Sequence, residues 1–70
     1  MEAPCGIEIK IGQVWRLGEY APLTICGFDN GLGGPAVKAF SEEVGPLRPN
    51  LICSWEFTNG RGGYRLVKEV

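Results

Sequence analysis

Histidine is missing from this 70-residue chain. With it goes the side chain most often used for acid-base catalysis, nucleophile activation and metal binding near neutral pH. Such chemistry would fall to Asp29, the glutamates, a cysteine or a tyrosine. Glu42 and Glu43 are adjacent in a loop-like stretch, where consecutive side chains need not converge, so they read as a solvated acidic loop. Cysteine is sparse: Cys5, Cys26 and Cys53 are widely spaced and form no C-x-x-C pair, so without histidine the chain cannot complete a usual four-ligand zinc site by itself. Cys26 and Cys53 read as small buried hydrophobes within strands, and unpaired thiols fit a reducing compartment. A cysteine nucleophile would lack its usual base. Long apolar runs are also missing. Leu23-Thr24-Ile25-Cys26 and Leu51-Ile52-Cys53 are strand-sized, far below the ~18 residues of a membrane helix. The opening Met1-Glu2-Ala3-Pro4 has neither a basic nor an apolar signal region, so no secretory signal is expected and the expected compartment is the cytoplasm. An excess of charge is lacking too: 7 Lys and Arg against 8 Asp and Glu leave a formal net charge of -1. No global field draws the chain to nucleic acid or an anionic membrane. The expectation is therefore a protein without catalysis, cofactor, metal or membrane association.

What the chain does hold is glycine: 11 Gly and 5 Pro in so short a length imply many turns. Hydrophobic residues at 44% and charged residues at 21% place it among folded chains. Its length suits one domain, residues 1–70, with a core that covers only ~60% of the surface the unfolded chain exposes.

Ile7, Ile9 and Ile11 alternate with Glu8 and Lys10, the period of a half-buried strand. Gly12 marks a bend, and Val14-Trp15-Arg16-Leu17 resumes the extended pattern. A loop carries Tyr20. Residues 23–28 form the next strand, Asp29-Asn30-Gly31 a tight turn extended by Leu32-Gly33-Gly34-Pro35, and residues 36–40 a third, weaker strand. Gly45-Pro46 and Arg48-Pro49 forbid a continuous helix over 41–50, leaving at most a short 3₁₀ turn. Residues 51–57 read as the strongest strand, with Leu51, Cys53, Trp55 and Phe57 on one face. Asn59-Gly60 repeats the turn signal, and residues 64–70 close the chain with Tyr64 and Leu66 on one face and Val67 opposite. The class is all-β, and the economical architecture is a small, bent, partly open barrel of five strands with no long helix. The apolar segment 7–11 is an extra N-terminal strand that can pair across a dimer or cap its own barrel.

Two pieces carry a family resemblance: Ile11-Gly12-Gln13-Val14-Trp15-Arg16 and Gly63-Tyr64-Arg65-Leu66-Val67. They resemble the opening and closing strands of small SH3-like barrel proteins of bacteria and phages, many of them uncharacterised. The opening is also similar to that of barrel domains of the KOW and Tudor kind. The resemblance implies an SH3-like five-stranded barrel and no activity.

Two surfaces are candidates for function. The first is aromatic. Trp15, Tyr20 and Tyr64 are the residues best placed for a partly exposed apolar surface, and SH3-like barrels dock extended peptides on such surfaces. Trp15 could equally plug one end of the barrel, and Phe57 and Trp55 belong to the core. The partner is then a protein, a second copy included, because a core this small gains from pairing. The second is basic. Arg61, Tyr64, Arg65 and Lys68 combine guanidinium groups with an aromatic ring, the composition that stacks single-stranded bases. Ordinary edge-strand charge explains the same residues. Glycine-rich stretches 31–34 and 60–63 match no phosphate-loop motif, and one Arg61-Gly62-Gly63 triplet is no RNA-binding repeat.

Overall fold

A computed structural model describes residues 1–31 and 33–70. Five strands are present: β1 Val14–Leu17, β2 Leu23–Gly31, β3 Gly34–Phe40, β4 Asn50–Cys53 and β5 Tyr64–Lys68. All pair antiparallel in one sheet of order β4-β3-β2-β1-β5, which curls on itself as a partly open barrel. The described residues hold no α-helix, only a 3₁₀ turn at Ser54–Glu56. None of them lies in a helix long and apolar enough to cross a membrane.

Two irregularities bend the sheet. In β2, Ile25 pairs with Ala39 and Gly27 with Lys38, leaving Cys26 as an extra residue. In β5, Lys68 pairs with Val14 and Leu66 with Trp15, so Val67 is extra and faces outward. A bulge adds local twist, and that curvature lets one five-stranded sheet surround a core. The core comprises Ala3, Ile9, Trp15, Leu23, Ile25, Val37, Ala39, Ile52 and Phe57.

The N-terminal segment caps its own barrel. Glu2 and Glu8 form an isolated bridge, the Ile9 amide donates to the Met1 carbonyl at 2.7 Å, and Ile9 enters the core. The expected strand over 7–11 is thus a short hairpin with residues 1–3. Its alternation stops at Ile11, which is exposed because Gly12, at φ +98°, turns the chain.

Three further expectations are corrected. The fourth strand is inverted: Ile52 is the buried residue, Leu51 is exposed, and Trp55 is 53% exposed. The strand ends at Cys53, and the 3₁₀ turn changes the side-chain period so that Phe57 still reaches the core. Trp55 instead lies against Gly33 at the tip of the β2–β3 hairpin, leaving no room for a Cβ there. That hairpin turns later than Asn30-Gly31, since Asn30 pairs with Pro35 and Gly31 with Gly34. The part of the expected turn that falls on Leu32 lies outside the described residues. Finally, Cys26 and Cys53 are half-buried rather than buried, Cys5 is exposed, and all three are free thiols. The 41–50 stretch is non-helical as expected, with Val44 and Gly45 amides both donating to the Ser41 carbonyl.

Candidate functional site at the barrel mouth

One column of aromatic rings runs from the core to the surface. Trp15 meets Phe57 edge-on with centroids 5.1 Å apart, and Phe57 stacks on Tyr64, also at 5.1 Å. Trp15, at the inner end, is completely buried. Its indole N–H donates to Gln13 Oε1 at 3.0 Å. Trp15 is therefore a core residue and drops out of the expected docking surface. Its place two residues after Gln13 puts both side chains on the inner face, and a buried amide satisfies a buried indole.

Tyr64, at the outer end, opens β5 and is half-buried. Burial pushes its phenol above the ordinary tyrosine value, and the Glu56 carboxylate adds to the shift. The ring stays neutral and able to donate a hydrogen bond well beyond neutral pH.

Tyr20 stands beside it on the β1–β2 loop. Gly18, at φ +53°, starts the turn after β1. The Tyr20 amide donates to the Leu17 carbonyl at 3.0 Å, and Arg16 Nε donates to the Tyr20 carbonyl at 2.8 Å. Arg16 also reaches the Glu19 carbonyl at 3.3 Å. Backbone order is thus imposed on a loop whose tyrosine ring is 73% exposed. An exposed aromatic on a held loop loses little freedom on binding.

Between the tyrosines lies a cavity of about 330 Å³ lined by Leu17, Tyr20, Ala21, Leu23, Ser41, Asn50 and Tyr64. A second cavity of about 190 Å³ shares Ala21 and Ser41 with it and extends past Pro22 and Thr24 to Glu42 and Glu43. Together they make a trough, aromatic at one end and acidic at the other. No cysteine lines it. Among the described residues, no group of three or more Cys, Asp and Glu converges as a metal cage would require.

The basic candidates are divided. Arg61 and Arg65 line a separate cavity of about 350 Å³ with Gly18, Asn59, Gly60, Gly62 and Gly63. Tyr64 turns the other way, onto Phe57, and Lys68 lies further along β5, opposite Val14. The four residues do not form one patch.

Sequence reading passed over Gln13, which is buried and fully bonded. Oε1 accepts from Trp15 and from the Lys10 amide at 2.9 Å; Nε2 donates to the Glu8 carbonyl at 2.9 Å and the Glu69 carboxylate at 2.6 Å. It also passed over Leu23, Ser41 and Asn50 as lining groups, which only the closure of the sheet brings beside Tyr64. No protein-family model, curated protein or solved structure matches the chain.

Proposed function

We propose that this protein is a non-enzymatic interaction module, needing no cofactor, that holds an extended segment of a partner protein in the trough at the barrel mouth. One observation carries the reading: Tyr20 and Tyr64 flank a single cavity, and a second adjoins it at Ala21 and Ser41. Two amphipathic rings beside apolar Leu17, Ala21 and Leu23, with Ser41 and Asn50 to hydrogen-bond, are a common recipe for gripping a peptide without chemistry. The SH3-like resemblance of the two end strands points the same way. A cytoplasmic setting fits the three free thiols.

Another protein is favoured over a second copy. The N-terminal segment that could have crossed a dimer is folded into its own core. The free edge of β5 is covered as well: the Asn59 amide donates to the Tyr64 carbonyl at 2.8 Å, and Asn59 Oδ1 accepts from the Leu66 amide at 3.0 Å. A covered edge does not template strand pairing.

The test is selection of a random-peptide display library on the immobilised protein. The reading expects enriched peptides that bind wild type and lose affinity for Tyr20→Ala. Peptides that bind Tyr20→Ala equally well, or no enrichment at all, would sink it. Sedimentation at a single 7.6 kDa species across concentrations removes the self-partner version.

A further inference from the structure

The third cavity has a composition the trough does not share. Its lining residues include two arginines, Arg61 and Arg65, and no Asp or Glu. Of the five other Lys and Arg side chains, two are paired among the described residues, Arg16 at 3.9 Å from Glu19 and Lys38 at 3.8 Å from Asp29, and none of the remaining three lines this cavity. Neither Arg61 nor Arg65 has such a partner among the described residues.

The sheet register sharpens the point. Arg65 pairs directly with Arg16 across β1 and β5. Like charges directly opposite one another destabilise a sheet. Arg16 turns its guanidinium to the carbonyls of Glu19 and Tyr20, which answers its own hydrogen bonding and leaves Arg65 uncompensated. Nothing in the packing explains a second arginine there, since Arg65 is exposed.

The rest of the wall is backbone. Gly18, Gly60, Gly62 and Gly63 line the cavity without side chains that would hold a ligand away. Within this loop the Asn59 amide is bonded to Tyr64 and the Gly63 amide to the Gly60 carbonyl. The amides of Gly60, Arg61 and Gly62 between them have no protein acceptor among the described residues. Planar guanidinium forks and spare N–H groups together suit a multi-oxygen anion. The cavity is of the size of small-molecule sites, roughly 300 Å³ and above.

We infer that the 60–63 loop and Arg65 form a phosphate-binding site, separate from the trough at the barrel mouth, that accepts the phosphate group of a nucleotide or of a nucleic-acid backbone. Both sources present the same tetrahedral oxyanion. Formal net charge is -1, so recognition is local rather than driven by the whole-molecule field.

The experiment titrates the full chain, labelled with ¹⁵N, with inorganic phosphate, a nucleoside monophosphate and a single-stranded oligothymidylate, with acetate at equal ionic strength as control. Saturable shifts are expected at the amides of Gly60, Arg61, Gly62 and Gly63, and not with acetate. Arg61→Ala and Arg65→Ala should each weaken binding about tenfold, the scale of a lost charged hydrogen bond. Arg48→Ala and Tyr20→Ala should leave it unchanged. Both arginines are exposed, so their variants test binding and not folding. Tighter binding of the oligonucleotide with a steep salt slope assigns the nucleic-acid backbone; equal binding of the monophosphate assigns the small ligand. Shifts that do not saturate, or affinities unchanged in both arginine variants, overturn the site.

Discussion

Gln13 Oε1 accepts the indole N–H of Trp15 at 3.0 Å, inside the core and two residues away along the chain. The amide of Gln13 has no spare valence, since its remaining bonds reach Lys10, Glu8 and Glu69. It therefore ties the N-terminal hairpin and the C-terminal segment to the first strand. Replacing it with Leu keeps the volume and strands a buried indole N–H, at a cost of about 2–4 kcal/mol. Trp15→Phe removes the indole donor, but Oε1 keeps its bond from Lys10, so the loss on the Gln13 side is smaller. In a double-mutant cycle read by urea unfolding, the two changes should cost less together than their sum. Strict additivity would mean that the bond contributes nothing.

Glu69 gives the same node a pH dependence. Its carboxyl is held below the ordinary glutamate range, first by the Gln13 side chain, then by the Val70 amide, with Lys10 assisting and desolvation opposing. A lowered folded-state pKa means that the stabilisation is present above the unfolded value and is lost as pH falls through the folded one. Glu69→Gln should be less stable than wild type at neutral pH and should lose less stability on acidification. Urea midpoints at pH 7 and pH 3 decide it: an unchanged gap between the two proteins would remove Glu69 from the acid response.

Much of the fold was legible because strands this short announce themselves by alternation and by the Gly and Pro between them. The places of all five strands follow from that punctuation. Faces were legible only where polar residues break the pattern. Tyr64, Leu66 and Val67 alternate with charged neighbours, and their sides come out as expected. Leu51-Ile52-Cys53 is apolar throughout, so parity had nothing to set it, and the 3₁₀ turn that inverts it has no strong local signal. Trp15 misled for a different reason. A polar neighbour suggested a surface, whereas an amide two residues from an indole is also the spacing of a buried pair. At the mouth the two tyrosines were legible and the facing wall was not, because Asn50 comes to the same cavity as Tyr64 only when the two ends of the sheet approach.

Tyr64 should mark the alkaline limit of the fold. Burial, with Glu56 assisting, raises its pKa in the folded state. Stability is then unaffected below the ordinary tyrosine value of about 10 and falls as pH rises through the raised one. Absorbance titration of the phenolate in a Tyr20→Phe background isolates Tyr64 as the one remaining tyrosine. The expected curve lies above that of the urea-unfolded chain, and Tyr64→Phe should retain more stability above pH ~10. Coincident folded and unfolded titrations would place the Tyr64 hydroxyl in open solvent.

Gly63 and Gly60 close the same turn, yet only one tolerates a side chain. Gly63 is buried, and a Cβ there would overlap Thr58 Oγ1 and come within 2.8 Å of the Glu56 carbonyl oxygen. The hydroxyl can rotate away; the carbonyl belongs to the backbone of the 3₁₀ turn and cannot. Gly63→Ala should therefore cost about 1–3 kcal/mol, the scale of an overpacked site. At Gly60 the nearest atom is the Thr58 carbonyl oxygen at 3.8 Å, an ordinary contact, so Gly60→Ala should stay within about 0.5 kcal/mol of wild type. Neither glycine has a positive φ, so steric overlap alone separates them. Adding Thr58→Ala to Gly63→Ala should recover part of the loss, because the Glu56 contact remains. Full recovery would show that the hydroxyl, and not the backbone, sets the limit. Thermal unfolding of the three variants beside wild type measures all of this.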